Sequence, residues 1–151
     1  MINIREANIQ DSEDIYIWRN DSLTREMSLH SGFIEWEEHS KWLDTSLNDL
    51  KVLLLICELV DPKVKLAVVR FNIQKDRADV SINLSPNERG KGFSKKCLEQ
   101  SINYFTCNNP DVISLVAKIK FHNEASRNIF EALGFIYKKE FEDITYYEYL
   151  I

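Results

Sequence analysis

The residues of this 151-residue chain best placed to do chemistry are Arg89-Gly90-Lys91-Gly92-Phe93-Ser94, a glycine pair among cations. They follow a strand-like run, Val80 to Leu84, and a turn set by Pro86, and a helical pattern begins directly after them. Glycine takes φ > 0 and lets backbone approach a ligand, so successive main-chain N–H groups can converge on anionic oxygens. The open donors and positive end of the following helix add to this, as do the charges of Arg89, Lys91 and Lys95. Such a loop suits a compact phosphorylated ligand. It is not a Walker loop, since no G-x-x-x-x-G-K-[ST] occurs, and one short glycine pair fits the dinucleotide fingerprint poorly. On these residues alone a plain exposed turn stays open as the alternative.

A second segment, Asn123-Glu-Ala-Ser126-Arg-Asn-Ile-Phe130-Glu-Ala-Leu133-Gly134-Phe135, reads as a helix capped by Asn123 and stopped by Gly134. Together the two segments resemble the GNAT superfamily of acyl-CoA N-acyltransferases. Its signature Arg/Gln-x-x-Gly-x-Gly/Ala is matched by Arg89, Gly92 and, with a small substitution, Ser94. Its second motif, an Asn and a Ser leading a helix that ends in Leu-Gly-Phe, is matched from Asn123 onward. The resemblance implies acetyl-CoA as co-substrate, with the main-chain N–H groups of Arg89, Gly90, Lys91, Gly92, Phe93 and Ser94 on the pyrophosphate. It implies that the strand edge at Ile82 and Leu84 pairs with the pantetheine arm, that Asn123 bonds that arm from the other side, and that Ser126 and Phe130 also meet the cofactor. The family splays its two central strands apart to admit the thioester. Read without the family, Asn123 is an N-cap and Ser126 an exposed helix residue.

One departure concerns the reaction. Many family members carry Tyr where this chain has Phe130, and that Tyr is commonly assigned as the general acid to the leaving thiolate. Phe donates no proton. A thiol of pKa about 8.5 makes thiolate a tolerable leaving group near neutral pH, so positioning can carry most of the rate. An attacking amine of pKa roughly 8 needs only modest help from a base or water. The candidate catalytic residues are Asn83 and His122, with Ser81 and His39 beside them. For the histidines, surface or packing roles are the alternative.

The acceptor side is sought in the N-terminal third, where Tyr16-Ile-Trp-Arg-Asn and Ile34-Glu-Trp-Glu-Glu-His mix aromatics with Arg19, Asn20, Arg25 and His39. Such a mixture can hold a polar ring. The pattern is similar to the GNAT branch that acetylates nucleotide-linked amino sugars, which implies Arg19, Asn20 and His39 as acceptor contacts. Similar first helices occur in acetyltransferases of ribosomal protein N-termini. The alternative activities are therefore acetylation of a protein N-terminus or of another small-molecule amine, and a non-catalytic acyl-CoA-binding module is the reading from a different class.

The elements that must position these residues follow from periodicity. Residues 2–6 alternate as a strand, and Asp11-Ser12-Glu13-Asp14 opens a helix ending near Asp21. A second helix is expected over Glu35 to Asn48. A buried strand from Val52, another over Leu66 to Ile73, a tight hairpin at Asp76-Arg77 and a strand over Ala78 to Leu84 make an antiparallel meander. After the loop come a helix to about Thr106, a strand over Val112 to Ile119, the Asn123 helix, and strands near 135–142 and 145–150. The order predicts an α/β (α+β) fold with a mixed, mostly antiparallel sheet and helices on both faces, and the resemblance implies one GNAT-like N-acetyltransferase domain over 1–151 with six to seven strands and about four helices.

Composition agrees. With 44% hydrophobic and 28% charged residues, the chain supports a packed core. A net charge of −5 argues against nucleic acid or an anionic membrane surface as partner, leaving a small-molecule amine. Three cysteines, Cys57, Cys97 and Cys107, are expected as free buried thiols, with no metal site. The N-terminus lacks a signal peptide's apolar core, which predicts a cytoplasmic protein. An exposed edge among the C-terminal strands, Tyr137–Phe141 and Tyr146–Tyr149, makes a homodimer the expected self-association.

Overall fold

The apolar run from Val52 has no polar alternation because both of its faces are covered. Leu55 and Cys57 pack on one side of the sheet, and Leu54 and Ile56 on the other. The computed structural model, which describes residues 1–151, orders the chain as β1 (Ile2–Glu6), α1 (Ser12–Asn20), α2 (Ser22–Met27), α3 (Trp36–Leu47), β2 (Val52–Val60), β3 (Lys63–Gln74) and β4 (Arg77–Leu84). There follow α4 (Phe93–Asn108), β5 (Ser114–Lys120), α5 (Glu124–Ala132), β6 (Ile136–Phe141) and β7 (Ile144–Leu150). The seven strands form one sheet in the order β1-β2-β3-β4-β5-β7-β6. Every neighbouring pair is antiparallel except β4 and β5.

Helices cover both faces. On one, α4 and α5 lay Leu98, Phe105 and Phe130 onto Val69, Phe71 and Val80, with the Phe71 and Phe105 rings stacked 4.2 Å apart. On the other, Ile15 and Trp18 of α1 and Leu43 of α3 meet Leu54, Ile56 and Val68. Each such fully buried side chain contributes about 1.5–3 kcal/mol.

The mixed sheet and the antiparallel meander match the sequence-based expectation, and three details correct it. A fifth α-helix, α2, forms where no helix was expected: its six residues are too few to show a period, none of them is buried, and the Asp21 carboxylate caps it at the Thr24 N–H. The hairpin turn lies at Lys75-Asp76, where Lys75 takes φ 60°, and Arg77 already pairs with Gln74 as the first residue of β4. Cys57 and Cys97 are buried free thiols, but Cys107 is exposed, because it falls on the solvent side of α4's last turn.

Candidate active site

The site begins where the sheet opens. β4 and β5 pair over three positions only, Arg77 with Ser114, Ala78 with Leu115 and Asp79 with Val116, and then diverge. β4 stays bonded to β3 as far as Leu84, so its other edge, from Val80 to Leu84, faces a cleft of about 380 Å³. A free strand edge is a row of unpaired N–H and C=O groups, a template for an extended amide-bearing chain.

At the end of β4 the loop presents main-chain donors, but not the expected one at Arg89, whose N–H bonds the Pro86 carbonyl at 3.5 Å and closes the short turn there. Gly90 and Gly92 take φ of 76° and 79°, and Gly92 is the left-handed residue from which α4 starts. No side chain caps that helix, and the main-chain N–H groups of residues 90–95 donate to no carbonyl of the chain. Helix starts ordinarily satisfy these donors with a cap or with water, so a bare row invites an anion. Of the loop's side chains, Arg89 lines the cleft and bonds Asp21 and the Thr24 hydroxyl (3.0 Å), fastening the loop to α2. The Arg89 hydrogen bond holds the Asp21 carboxyl below its usual range. Lys91 turns away to Glu88 at 3.0 Å.

Asn123, Ser126 and Phe130 stand on the wall of the same cleft as Ile82 and Leu84. The Asn123 Oδ1 accepts from the Ser126 N–H at 3.2 Å and caps α5, while its amide NH2 has no partner in the chain. Capping thus leaves it a free donor. Phe130 is 2% exposed and edges onto Phe135 at 4.9 Å; no tyrosine lines the cleft.

The cleft continues through the sheet to the α1–α2 side, where Arg19, Ser81 and Asn83 line it. Three other sequence candidates lie elsewhere. His39 is fully buried: its Nε2–H donates to the Ser12 carbonyl at 2.9 Å, which leaves Nδ1 to accept from Arg19 at 3.2 Å. Burial first, and Arg19 second, lower its pKa and favour the neutral ring. His39 therefore orients Arg19 and cannot touch an acceptor, a correction that follows from the aromatic packing of Tyr16, Trp36 and Trp42 around it. Asn20 spends its amide on the backbone of Ile34, donating at 2.9 Å and accepting at 2.8 Å, and it lies off the cleft wall. His122 sits exposed in the turn before α5, also off the wall.

Sequence reasoning missed Arg70 and Lys118, both on the wall. A lone charge inside the apolar run Leu66 to Phe71 was the available signal for Arg70, since uncompensated charges in buried strands are rare.

A mixed sheet splayed at its one parallel pair, over a glycine loop with open N–H donors, is the architecture of the acyl-CoA N-acyltransferases. The chain belongs to that class through the acetyltransferase (GNAT) domain family, whose model matches residues 2–136. The same fold is found in the spermidine N-acetyltransferase of Vibrio cholerae, solved with CoA and spermine, at TM-score 0.88 and 18% identity over 99% of this chain and 95% of that one. It is found in a domain from Methanocaldococcus jannaschii at TM-score 0.84 and 21% identity, over 100% and 99% of the two chains. A GNAT-family acetyltransferase from Streptococcus pneumoniae gives TM-score 0.78 and 17% identity, over 100% and 99%. No curated protein matches the sequence significantly. The chain is an acyl-CoA-dependent N-acetyltransferase, and acetyl-CoA is its co-substrate. No helix is long and apolar enough to cross a membrane.

Proposed function

We propose that the chain acetylates the primary amine of a small molecule by direct attack of that amine on the thioester of acetyl-CoA. The observation that carries this is the continuity of the cleft: it runs from Arg89 and α5 on one face, through the opening between β4 and β5, to Arg19 and Asn83 on the other. In this reading the N–H groups of 90–95 hold the pyrophosphate, the β4 edge at Ile82 and Leu84 and the Asn123 amide hold the pantetheine arm, and Asn83 meets the incoming amine. With Phe130 supplying no proton, Ser126, the only hydroxyl of α5 on the cleft wall, is the group to which we assign relay of a proton from solvent water to the departing thiolate, its hydroxyl giving one proton and taking one back from the water. The attacking amine loses its proton to water, which suffices for a group of pKa roughly 8.

The expected acceptor branch, nucleotide-linked amino sugars, is not represented among the relatives named above, of which the one named by its substrate is a spermidine N-acetyltransferase. A screen settles the class: thiol release from acetyl-CoA is measured with spermidine, amino sugars, an amino-sugar nucleotide and a peptide with a free N-terminus. Turnover with a small amine and none with the peptide is expected; turnover confined to the peptide would refute the reading.

We also assign the whole of 1–151 to one acetyltransferase domain, acting in the cytoplasm, where free thiols such as Cys57 and Cys97 persist. For self-association the candidate is β6, an edge strand with all six residues exposed, including Ile136, Tyr137 and Phe141. One structure of the Vibrio cholerae relative is a dodecamer. Ile136→Lys is expected to shift the sedimenting species toward monomer; identical sedimentation of the two proteins would remove β6 as the contact.

A further inference from the structure

The wall of the cleft carries arginines and a lysine but no aspartate or glutamate. Two of these cations are already answered, Arg89 by Asp21 and Lys118 by Asp79 at 3.4 Å. Arg19 and Arg70 are not: neither makes an ion pair with any carboxylate of the chain.

Their placement is built rather than incidental. Arg70 pairs across the sheet with Leu54 and Ser81, so it projects on the face that packs against α1 and α3, the same face as Val68 and Asn83. Arg19 comes to the same space from α1, with its guanidinium 4.2 Å from the centre of the Trp42 ring and one N–H on the His39 Nδ1. A ring face and a neutral imidazole orient a guanidinium without neutralising it. Arg19 is half-buried, and desolvation together with Arg70 lowers its pKa, the direction expected of a cation that lacks a counter-ion, while the Arg70 side chain is open to solvent on the same wall. The carboxylates whose charge reaches them, Glu38 for Arg19 and Asp79 for Arg70, stand off the cleft wall.

Building on the acetyltransferase reading, we propose that the acceptor amine carries an acidic group, a phosphate or a carboxylate, which Arg19 and Arg70 bind together while the amine points to the opening beside Asn83. Bidentate pairing with planar guanidinium groups fits either oxyanion. A polyamine is disfavoured, because its extra ammonium groups would meet two uncompensated like charges.

The test is calorimetry on the full chain saturated with CoA, using matched pairs: glucosamine 6-phosphate against glucosamine, and β-alanine against its amide. Failure of CoA itself to bind would remove the acetyltransferase reading before the pairs are compared, so the two failures separate. The member that bears the phosphate or carboxylate in at least one pair is expected to bind about tenfold or more tightly than its twin without that group, as one charge-assisted contact supplies. The pair that responds distinguishes phosphate from carboxylate. Arg70→Gln is expected to erase the difference with CoA affinity unchanged, and Arg70→Lys to restore part of it. Equal affinity within both pairs, no binding by any member, tighter binding of spermidine, or a preference that survives Arg70→Gln and Arg19→Gln would each overturn the proposal.

Discussion

Replacing Gly92 by Trp is expected to abolish acetyl-CoA binding, weakening it at least about a hundredfold, while the protein stays folded. A Cβ built at Gly92 meets nothing within 4 Å, so the protein itself leaves room for a side chain. Gly92 stands in the middle of the run 90–95 whose N–H groups are bare, so an indole there is expected to crowd an anion bound to them. The stability cost comes from the backbone: an L-residue at φ 79° costs roughly 1–2 kcal/mol. Gly92→Ala carries the same strain without the bulk and separates the two effects. Calorimetric titration should find near-normal affinity in the alanine variant and none in the tryptophan variant, with melting temperatures of the two within a few degrees. Equal affinity in both would remove the pyrophosphate from this loop.

The largest effect on stability is expected at Asp11, far from the loop. This carboxylate is 1% exposed and takes two bonds from Arg5 (2.8 and 2.9 Å), one from Lys65 (2.8 Å) and one from the Asn8 N–H (2.9 Å). It fixes the turn that leads into α1, the helix that carries Arg19. Removing one partner of a buried ion pair costs about 3–5 kcal/mol. We expect the lower end for Asp11→Asn, because Arg5 and Lys65 remain about a quarter exposed and recover some water. About 3 kcal/mol corresponds to a melting temperature roughly 10 °C lower.

The pH dependence has a definite sign. Burial alone would raise the Asp11 pKa, but the bonds from Arg5, Lys65 and Asn8 outweigh it and hold the carboxyl far below its ordinary 3.8. A carboxylate depressed on folding contributes fully above its unfolded pKa, and that stability is lost as the pH falls through the depressed folded value. The gap between wild type and Asp11→Asn should therefore be constant from pH 7 to about 4 and narrow below it. Thermal melts across that range measure it; a gap that widens on acidification would show that Asp11 is not the ionised partner.

What the sequence made legible was local. The glycine loop, the Asn123 helix and the meander of β2, β3 and β4 each rest on residues close together in the chain, with periodicity or backbone freedom as the signal. What it hid depended on distant partners. His39 and Asn20 look like polar residues available to a ligand until His39 is seen held by Ser12, 27 residues away, and Asn20 by Ile34, 14 residues away. Arg70 was hidden for the opposite reason: its strand reads as core, and only the register with Ser81 and the splay of β4 from β5 turn its side chain into a cleft. Helix α2 is six residues long, too short for Leu23 and Met27 to establish a period, and its Asp21 cap is the clearest local sign of it.

The central claim is that acetyl-CoA binds through the main-chain donors of the loop after β4. Titration of acetyl-CoA into the 15N-labelled protein, followed by amide chemical shifts, tests it most directly. The account predicts that the amides of residues 90–95 move most, with those of Ile82 and Leu84 next. Saturable binding that leaves the 90–95 amides in place, or no binding at all, would contradict it.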